Sequence, residues 1–382
     1  MALQNPFKPT AGAVPPVLIG RDDVLDEFQE SIEDGPGAPA RLATFTGPRG
    51  IGKTVLLAKA VSKVRDSGWL AITETATPGL TERLSLTVRA ELTARGVGGA
   101  PDETSPEWTL RRNLNALLDQ LESQGVGLLV AVDEVHRAAR DDLRAVTTIF
   151  QHLTGDRRNV AMILAGLPSA LSDLLNDKIL TFLRRATPFV LADVPLPAVR
   201  QAFLDAITAG GKEITDDALD EITSATSGYP FMIQLVGYHV WRKSKSDRIG
   251  DEAAAEGVSA ARKRLGSTVH ASAFDDLSPV DRTVLIAMAQ DDGPSKTSDI
   301  AARLGVEQNY VSVYRRRMIA AGVIEATSYG YVDFAIPYLR DYLRDHVSHE
   351  QFNVAQRELL ERESDQLSHD NHSDGERRDD AS

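Results

Sequence analysis

The chain has 382 residues, 42% hydrophobic and 25% charged, with 55 acidic against 42 basic side chains and a formal net charge of −13. That length suits roughly two to three domains of about 150 residues, and the acidic balance excludes wholesale coating of nucleic acid, so any DNA contact must be local. The absence of cysteine excludes disulfides, thiolate catalysis and Cys-based zinc sites. With no leader-like start and no run of roughly 18 apolar residues, a cytoplasmic protein without membrane contact is expected.

Pro6, Pro9, Pro15 and Pro16 restrict φ and remove donors, so residues 1–20 are expected to form an extended lead-in lying across a domain surface. From Arg21, the positions Val24, Leu25, Phe28 and Ile32 repeat with a helical period that Gly35-Pro36-Gly37 breaks. Leu42 to Thr46 reads as a short buried strand leading through a Gly-rich turn into a helix from Lys53 to Val64. Trp69 to Thr73 reads as a second strand, Glu82 to Ala94 and Glu107 to Leu121 as helices, and the continuous apolar run Gly127 to Val132 as a strand buried on both faces. Val160 to Ala165 and Phe189 to Ala192 complete five strands alternating with helices, so residues 21–196 are expected to form an α/β domain with a parallel sheet.

Beyond Pro197 the strands are expected to stop. Val199 to Ala209, Asp216 to Ala225, Phe231 to Trp241 and Glu252 to Leu265 read as helices of a small lid at residues 197–270. Within 271–346, the helices Pro279 to Ala289, Thr297 to Leu304 and Gln308 to Ala321 precede two short strands flanking Ser328-Tyr329-Gly330, the pattern of a winged helix. Residues 347–382 form an extension with 4 basic and 10 acidic residues, expected to be a disordered acidic tail from Ser364.

Gly47-Pro48-Arg49-Gly50-Ile51-Gly52-Lys53-Thr54 fits the phosphate-loop pattern G-x-x-x-x-G-K-[ST], between a strand and a helix as that pattern requires. Its backbone N–H groups and the helix N-terminus suit phosphate, Lys53 adds a full charge near the β- and γ-phosphates, and Thr54 offers a hydroxyl to Mg²⁺. Asp133-Glu134 follows the buried strand at the end where parallel sheets bind ligands. Asp133 suits the Mg²⁺ shell, with a helix N-cap as its alternative, and Glu134 suits polarising a water that attacks the γ-phosphorus.

These paired motifs, the GRD at Gly20 to Asp22, and the order of α/β core, helical lid and winged helix resemble AAA+ ATPases. Within that family the chain looks like the branch of origin-recognition initiators, STAND signalling ATPases and their bacterial ATP-binding relatives, from Asn5 to about Arg344. The resemblance implies a P-loop NTPase fold and ATP with Mg²⁺. It also implies an adenine pocket lined by Ile19, Gly20 and Arg21, although Arg21 also reads as a solvated charge at a helix start. Gly228-Tyr229-Pro230 resembles the GxP element of STAND lids, which would pack Pro230 against the base or ribose; the alternative is a proline in the first helical turn. Arg184 and Arg185 precede the fifth strand, where relatives place an arginine finger reaching a neighbour's γ-phosphate in an oligomer. Spacing to Phe189 favours Arg185, and a solvated basic pair is the alternative. Leu164 to Pro168 lacks the family's usual polar sensor, so slow hydrolysis is expected.

On the third helix of the winged-helix pattern, Val311, Tyr314 and Met318 share a core face, leaving Gln308, Asn309, Ser312, Arg315 and Arg316 for a major groove and Tyr329 for the wing. Residues 271–346 hold 8 basic and 11 acidic side chains, while Trp241 to His270 holds 7 basic and 4 acidic, including Lys243, Lys245, Arg262, Lys263 and Arg264. Three readings stay open: a nucleotide switch acting on duplex DNA; a STAND-like signalling ATPase whose winged helix recruits a protein partner or autoinhibits, with a homo-oligomer as output; or, from the absent polar sensor, a nucleotide-binding protein without useful hydrolysis. The pairs His346/His349 and His369/His372 read as solvated side chains and not as metal ligands.

Overall fold

Alternation along five short strands creates two apolar faces, and those faces decide where the helices lie. The computed structural model describes residues 4–10, 19–97, 106–168, 171, 181–275 and 277–346. The chain divides into two compact units, Met1–Ala261 and Arg262–Ser382. In the first, the elements run α1 (Asp22–Glu33), β1 (Leu42–Thr46), α2 (Lys53–Asp66), β2 (Leu70–Thr75), α3 (Leu80–Ala94), α4 (Pro106–Glu122), β3 (Leu128–Asp133), α5 (Arg140–Gly155), β4 (Val160–Gly166) and β5 (Thr187–Val190). The sheet is parallel throughout, in the order β2-β3-β4-β1-β5.

Leu128, Val130 and Val132 of β3 join Val160, Met162 and Leu164 of β4 in one core with residues of α3, α4 and α5. The intervening residues, Ala131, Ala161, Ile163 and Ala165, join Ala43, Phe45 and residues of α1 and α2 in the other. The second face is rich in alanine, whose small side chains let α2, the helix after the Gly-rich turn, pack close to the strands. β3 is buried at every position, as its unbroken apolar sequence predicts.

A helical layer follows: α6 (Leu196–Ala209), β6 (Glu213–Ile214), α7 (Asp216–Ser224), α8 (Pro230–Lys243), β7 (Arg248–Ile249) and α9 (Asp251–Leu265), with the division between the two units falling inside α9. Contrary to expectation, strands do not end at Pro197, because β6 and β7 pair in parallel beyond it. Two-residue strands are too short to show a hydrophobic period, which hides them in a sequence. In the lead-in, residues 4–10 are without regular secondary structure and pack on this layer. Phe7 is buried and meets Phe203 of α6 edge-on at 5.7 Å, while Asn5 Nδ2 donates to the Tyr238 carbonyl of α8 at 3.1 Å. Pro15 and Pro16 lie outside the described residues.

The second unit contains α10 (Ala271–Asp275), α11 (Pro279–Met288), β8 (Ser295–Lys296), α12 (Thr297–Leu304), α13 (Gln308–Ala320), β9 (Ile324–Ser328), β10 (Tyr331–Phe334) and α14 (Leu339–His346). Ser278 and Asp281 form a reciprocal capping box that starts α11. The strands make an antiparallel sheet in the order β8-β10-β9. Sequence reasoning missed β8, again two residues long, and α14. The expected acidic tail lies outside the described residues. Among the described residues, no helix is long and apolar enough to cross a membrane.

Candidate functional site

Strand β1 delivers the chain to the carboxyl edge of the sheet at Thr46, and residues 47–52 turn it into α2, with Gly52 in the left-handed N-cap position. Ile51, 2% exposed, anchors the loop in the core. Lys53 is the first residue of α2 and is buried, its Nζ donating to the carbonyls of Gly47 at 2.9 Å and Pro48 at 2.7 Å. Burial draws the pKa of this ammonium down to about 8, against the opposing pull of Glu134 and Asp133. The loop thus holds its lysine inside the turn, beside the helix N-terminus whose first N–H groups lack intrahelical partners.

Thr54 Oγ1 donates to Asp133 Oδ2 at 2.7 Å, and Asp133 Oδ1 accepts the Glu134 N–H at 2.8 Å. Asp133 ends β3 and is buried, so the two motifs 79 residues apart meet at one edge of the sheet. A hydroxyl beside a carboxylate oxygen is a donor set that fits Mg²⁺, which takes oxygen ligands and commonly only one or two carboxylates beside phosphate and water. The N-cap alternative for Asp133 receives no support, since no side-chain cap is made at the short helical turn that follows, whose N-cap is Glu134.

Glu134 has φ 57°, a left-handed conformation that costs a non-glycine residue about 1 kcal/mol or more. Its carboxylate lies 3.1 Å from His136 Nε2. That hydrogen bond is the main reason its pKa lies below the usual glutamate value, with burial opposing it. His136 Nδ1 is buried without a partner. Sequence reasoning did not single out His136; its position two residues after the acidic pair was the available signal. At the end of β4, where no polar sensor was expected, the Gly166 backbone packs against Val135.

Leu191 to Val194 is where the other predicted segments converge. Leu191 N–H donates to the Thr46 carbonyl at 2.7 Å, and Arg21 Nη2 donates to the Ala192 carbonyl at 2.5 Å. Burial lowers the Arg21 pKa while Asp193 opposes, and burial raises that of Asp193. Ile19 and Gly20 precede Arg21 in a turn, and a Cβ on Gly20 would lie 3.4 Å from Val194. Val194 N–H donates to the Gly228 carbonyl at 2.8 Å. Pro230, half-buried, opens α8, but the residue that reaches the phosphate loop is its neighbour: Tyr229 Oη donates to the Arg49 carbonyl at 2.7 Å.

Arg185 does not join this constellation. It is exposed and precedes β5, whose Thr187 pairs with Ala43 near the start of β1. The Gly-rich loop follows the far end of β1, about 13 Å along the strand from Ala43. Arg185 instead borders a cavity of about 240 Å³ with Phe182, Thr154 and Arg158 at the amino edge of the sheet.

In the second unit, Gln308, Asn309 and Arg316 are exposed on α13. The Ser312 hydroxyl is turned back onto the Gln308 carbonyl at 2.9 Å, and Arg315 is half-buried with its Nε buried and unpartnered. Val311 and Met318 are buried as expected, whereas Tyr314 is only half-buried and pairs with Tyr310. Arg317 donates to the buried Asp281 carboxylate at 3.0 Å. Tyr329 is fully exposed between β9 and β10. Of the expected basic stripe, Lys243 pairs with Glu256 at 2.9 Å and the Arg262 guanidinium stacks over Tyr338 at 4.2 Å. His346 stacks on Tyr342, while His349, His369 and His372 lie outside the described residues; among the described residues no group of three or more metal-ligating side chains gathers.

Residues 17–163 match the AAA ATPase domain family, and residues 267–343 match a family described as a domain of unknown function (DUF8462). No curated protein matches the chain. Among solved structures, the Walker-type ATPase PABY2304 of Pyrococcus abyssi is similar with a TM-score of 0.66 at 15% identity, over 86% of this chain and 96% of that one. The ORC2 protein of Aeropyrum pernix, in ADPNP-ADP complexes, is similar with a TM-score of 0.64 at 17% identity, over 92% of this chain and 98% of that one. Cdc6p from Pyrobaculum aerophilum gives 0.50 at 14% identity, over 92% and 98%. At such identities the likeness is one of fold: the five-stranded parallel sheet with its helices is the P-loop AAA+ ATPase fold.

Proposed function

We propose that this protein binds ATP with Mg²⁺ at the carboxyl edge of the sheet, hydrolyses it, and uses the nucleotide state to control duplex DNA binding by a C-terminal winged helix. The observation that carries the nucleotide reading is the Thr54–Asp133 hydrogen bond beside the buried Lys53. In this reading residues 21–196 are the core, 197–270 the lid and 271–346 the winged helix. The order α11, β8, α12, α13, β9, β10 supports the last of these, with α13 as the recognition helix.

The backbone of residues 47–54 cradles the phosphates and Lys53 neutralises the β- and γ-phosphate charge. Thr54 and Asp133 hold Mg²⁺, which supplies further positive charge to the phosphate oxygens. Glu134, now paired with His136, turns its carboxylate to the water that attacks the γ-phosphorus and orients it. Ile19, Gly20, Arg21 and Pro230 border the base. Arg185, at the opposite edge from its own chain's loop, is the residue that would reach a neighbouring copy's γ-phosphate in an oligomer. Gln308, Asn309 and Arg316 meet the groove, with Ser312 and Arg315 following if their side chains turn outward.

A second reading, a winged helix that docks a protein partner and drives assembly, is favoured by the charge of the second unit. Its acidic side chains outnumber its basic ones, and Arg303, Arg317, Arg340 and Arg344 are engaged by Asp291, Asp281, Asp333 and Asp292. Two measurements separate the readings: elution volume in ATP against ADP, and fluorescence anisotropy of a labelled mixed-sequence duplex with the Glu134→Gln protein in ATP, in ADP and without nucleotide, at two salt concentrations. Salt-sensitive binding that strengthens in ATP is expected for the DNA switch. Absence of binding, with an ATP-dependent change in elution volume, favours the assembly reading. In calorimetric titration Lys53→Ala is expected to weaken ATP binding by about 100-fold, the loss of a charged, hydrogen-bonded phosphate contact; retention of wild-type affinity would refute the nucleotide site.

A further inference from the structure

Tyr229 is 1% exposed, yet its phenol ends on backbone and not on another side chain. Its hydroxyl donates to the Arg49 carbonyl at 2.7 Å, in the middle of the phosphate loop. The next residue, Gly50, has φ +73°, and a Cβ placed there would lie 1.7 Å from the Tyr229 hydroxyl oxygen. Phenol and loop are therefore fitted to each other, and Gly50 is required twice over, by its left-handed backbone and by the ring against it.

The Arg49 carbonyl and the Gly50 N–H belong to one planar peptide unit, and the chain has no cis peptide bond among its described residues. In a trans unit the two groups point in opposite directions. A hydrogen bond that holds the carbonyl toward Tyr229 therefore aims the Gly50 N–H to the other side. If the plane rotated, a carbonyl oxygen would replace a donor where the loop meets an anion.

The segment that carries Tyr229 is itself held on both sides. Gly228 accepts from Val194 N–H at 2.8 Å, and its own φ of +76° leaves a Cβ only 2.3 Å from the Val194 carbonyl. The Thr226 hydroxyl donates to the Thr223 carbonyl at 2.7 Å and accepts from Gly228 N–H at 3.1 Å. On the other side the Tyr229 carbonyl accepts from Ile233 N–H at 3.0 Å in the first turn of α8. Burial also raises the phenol pKa, so the hydroxyl keeps the proton it donates.

We propose that Tyr229 is the positioning residue by which α8 sets the phosphate loop, its hydroxyl fixing the Arg49–Gly50 peptide so that the Gly50 N–H faces the nucleotide phosphates. This rests on the reading of residues 47–54 as a phosphate cradle. It assigns the lid's contact with the loop to the tyrosine of Gly228-Tyr229-Pro230, and it makes any displacement of α8 a change in loop geometry.

Tyr229→Phe keeps the ring and removes only the donor, which makes it the decisive variant. ATP titration calorimetry and steady-state hydrolysis would be run on the wild-type protein and this variant, with thermal melting as a check on folding. Loss of one neutral hydrogen bond corresponds to about a five-fold change. The expected result is a rise of about that size in both Kd and KM, with kcat nearly unchanged. A variant whose Kd and KM equal those of the wild type would overturn the proposal. So would a lower apparent kcat with unchanged KM, the mark of fewer folded molecules and of a role in packing alone. Wild-type protein that fails to bind ATP would refute the phosphate-cradle reading itself, and the same titration shows which of the two has failed.

Discussion

The carboxyl edge of the sheet and the exposed face of α13 both present polar side chains as candidates, but they hold them in opposite ways. At the sheet edge the polar groups are paired within the protein: Lys53 with two loop carbonyls, Thr54 with Asp133, and Glu134 with His136. On α13, Gln308, Asn309 and Arg316 stand in solvent, and Arg317 is engaged by Asp281. Preorganised polar groups recognise charge with little further loss of freedom, whereas an exposed set must be ordered by its partner. The first site is therefore specified by the fold and the second by whatever binds it.

Three perturbations test this contrast. The largest effect is expected at Glu134. Glu134→Gln should keep ATP affinity while lowering single-turnover phosphate release by about 1,000-fold, the scale of losing a positioned base. His136→Ala, which removes only the partner that holds Glu134, should lower the same rate by about ten-fold; equal losses in the two variants would make His136 part of the chemistry and not its support.

The next concerns His270, a buried polar group of the second unit. It is 1% exposed, its Nε2 lies 2.8 Å from the Pro337 carbonyl, and its Nδ1 is buried without a partner. Burial draws its pKa from 6.5 to about 4, with the Pro337 bond and Asp341 opposing and His346 assisting. Between those values the unfolded chain binds a proton that the folded chain refuses. Stability is therefore complete above about pH 6.5 and falls as pH drops toward about 4, by about 3 kcal/mol. Hydrogen exchange in residues 266–343, corrected for intrinsic rate, should show this loss, and His270→Phe should flatten it. A wild-type profile already flat across that window would show that the imidazole accepts its proton without unfolding.

The smallest effect is expected on α13. Arg316→Ala should weaken duplex binding about five-fold and reduce the salt slope by about 1. Arg317→Ala should instead lower the thermal stability of the second unit, because the Asp281 carboxylate is left buried with one charged partner fewer. If Arg317→Ala weakens DNA binding more than Arg316→Ala at equal folded fraction, the ion pair opens on binding and the contrast between the two regions narrows.

Much of the core was legible because its signals are local. β1 was expected at Leu42 to Thr46 and lies there, and α2 begins at Lys53 as the loop pattern requires. β5 was expected at Phe189 to Ala192 but runs from Thr187 to Val190, since its limits are set by pairing with β1 and not by its own composition. β6, β7 and β8 were missed because a two-residue ladder carries no period. No expectation was attached to Phe7, because the pocket that buries it beside Phe203 is assembled by distant helices.

Short-range rules within the chain were enough to set the kinds of element, the two motifs at the ends of β1 and β3, and the residue types able to hold a phosphate and a divalent cation. Those rules are apolar period, glycine freedom, and helix starts that attract anions. Which candidates meet was settled by tertiary packing. It set Thr54 against Asp133, turned Glu134 to His136, put Arg185 at the opposite edge from the phosphate loop, and brought Tyr229 rather than Pro230 onto that loop. Such pairings depend on strand order and on the packing of elements far apart in the chain, and no local pattern encodes a distance between them.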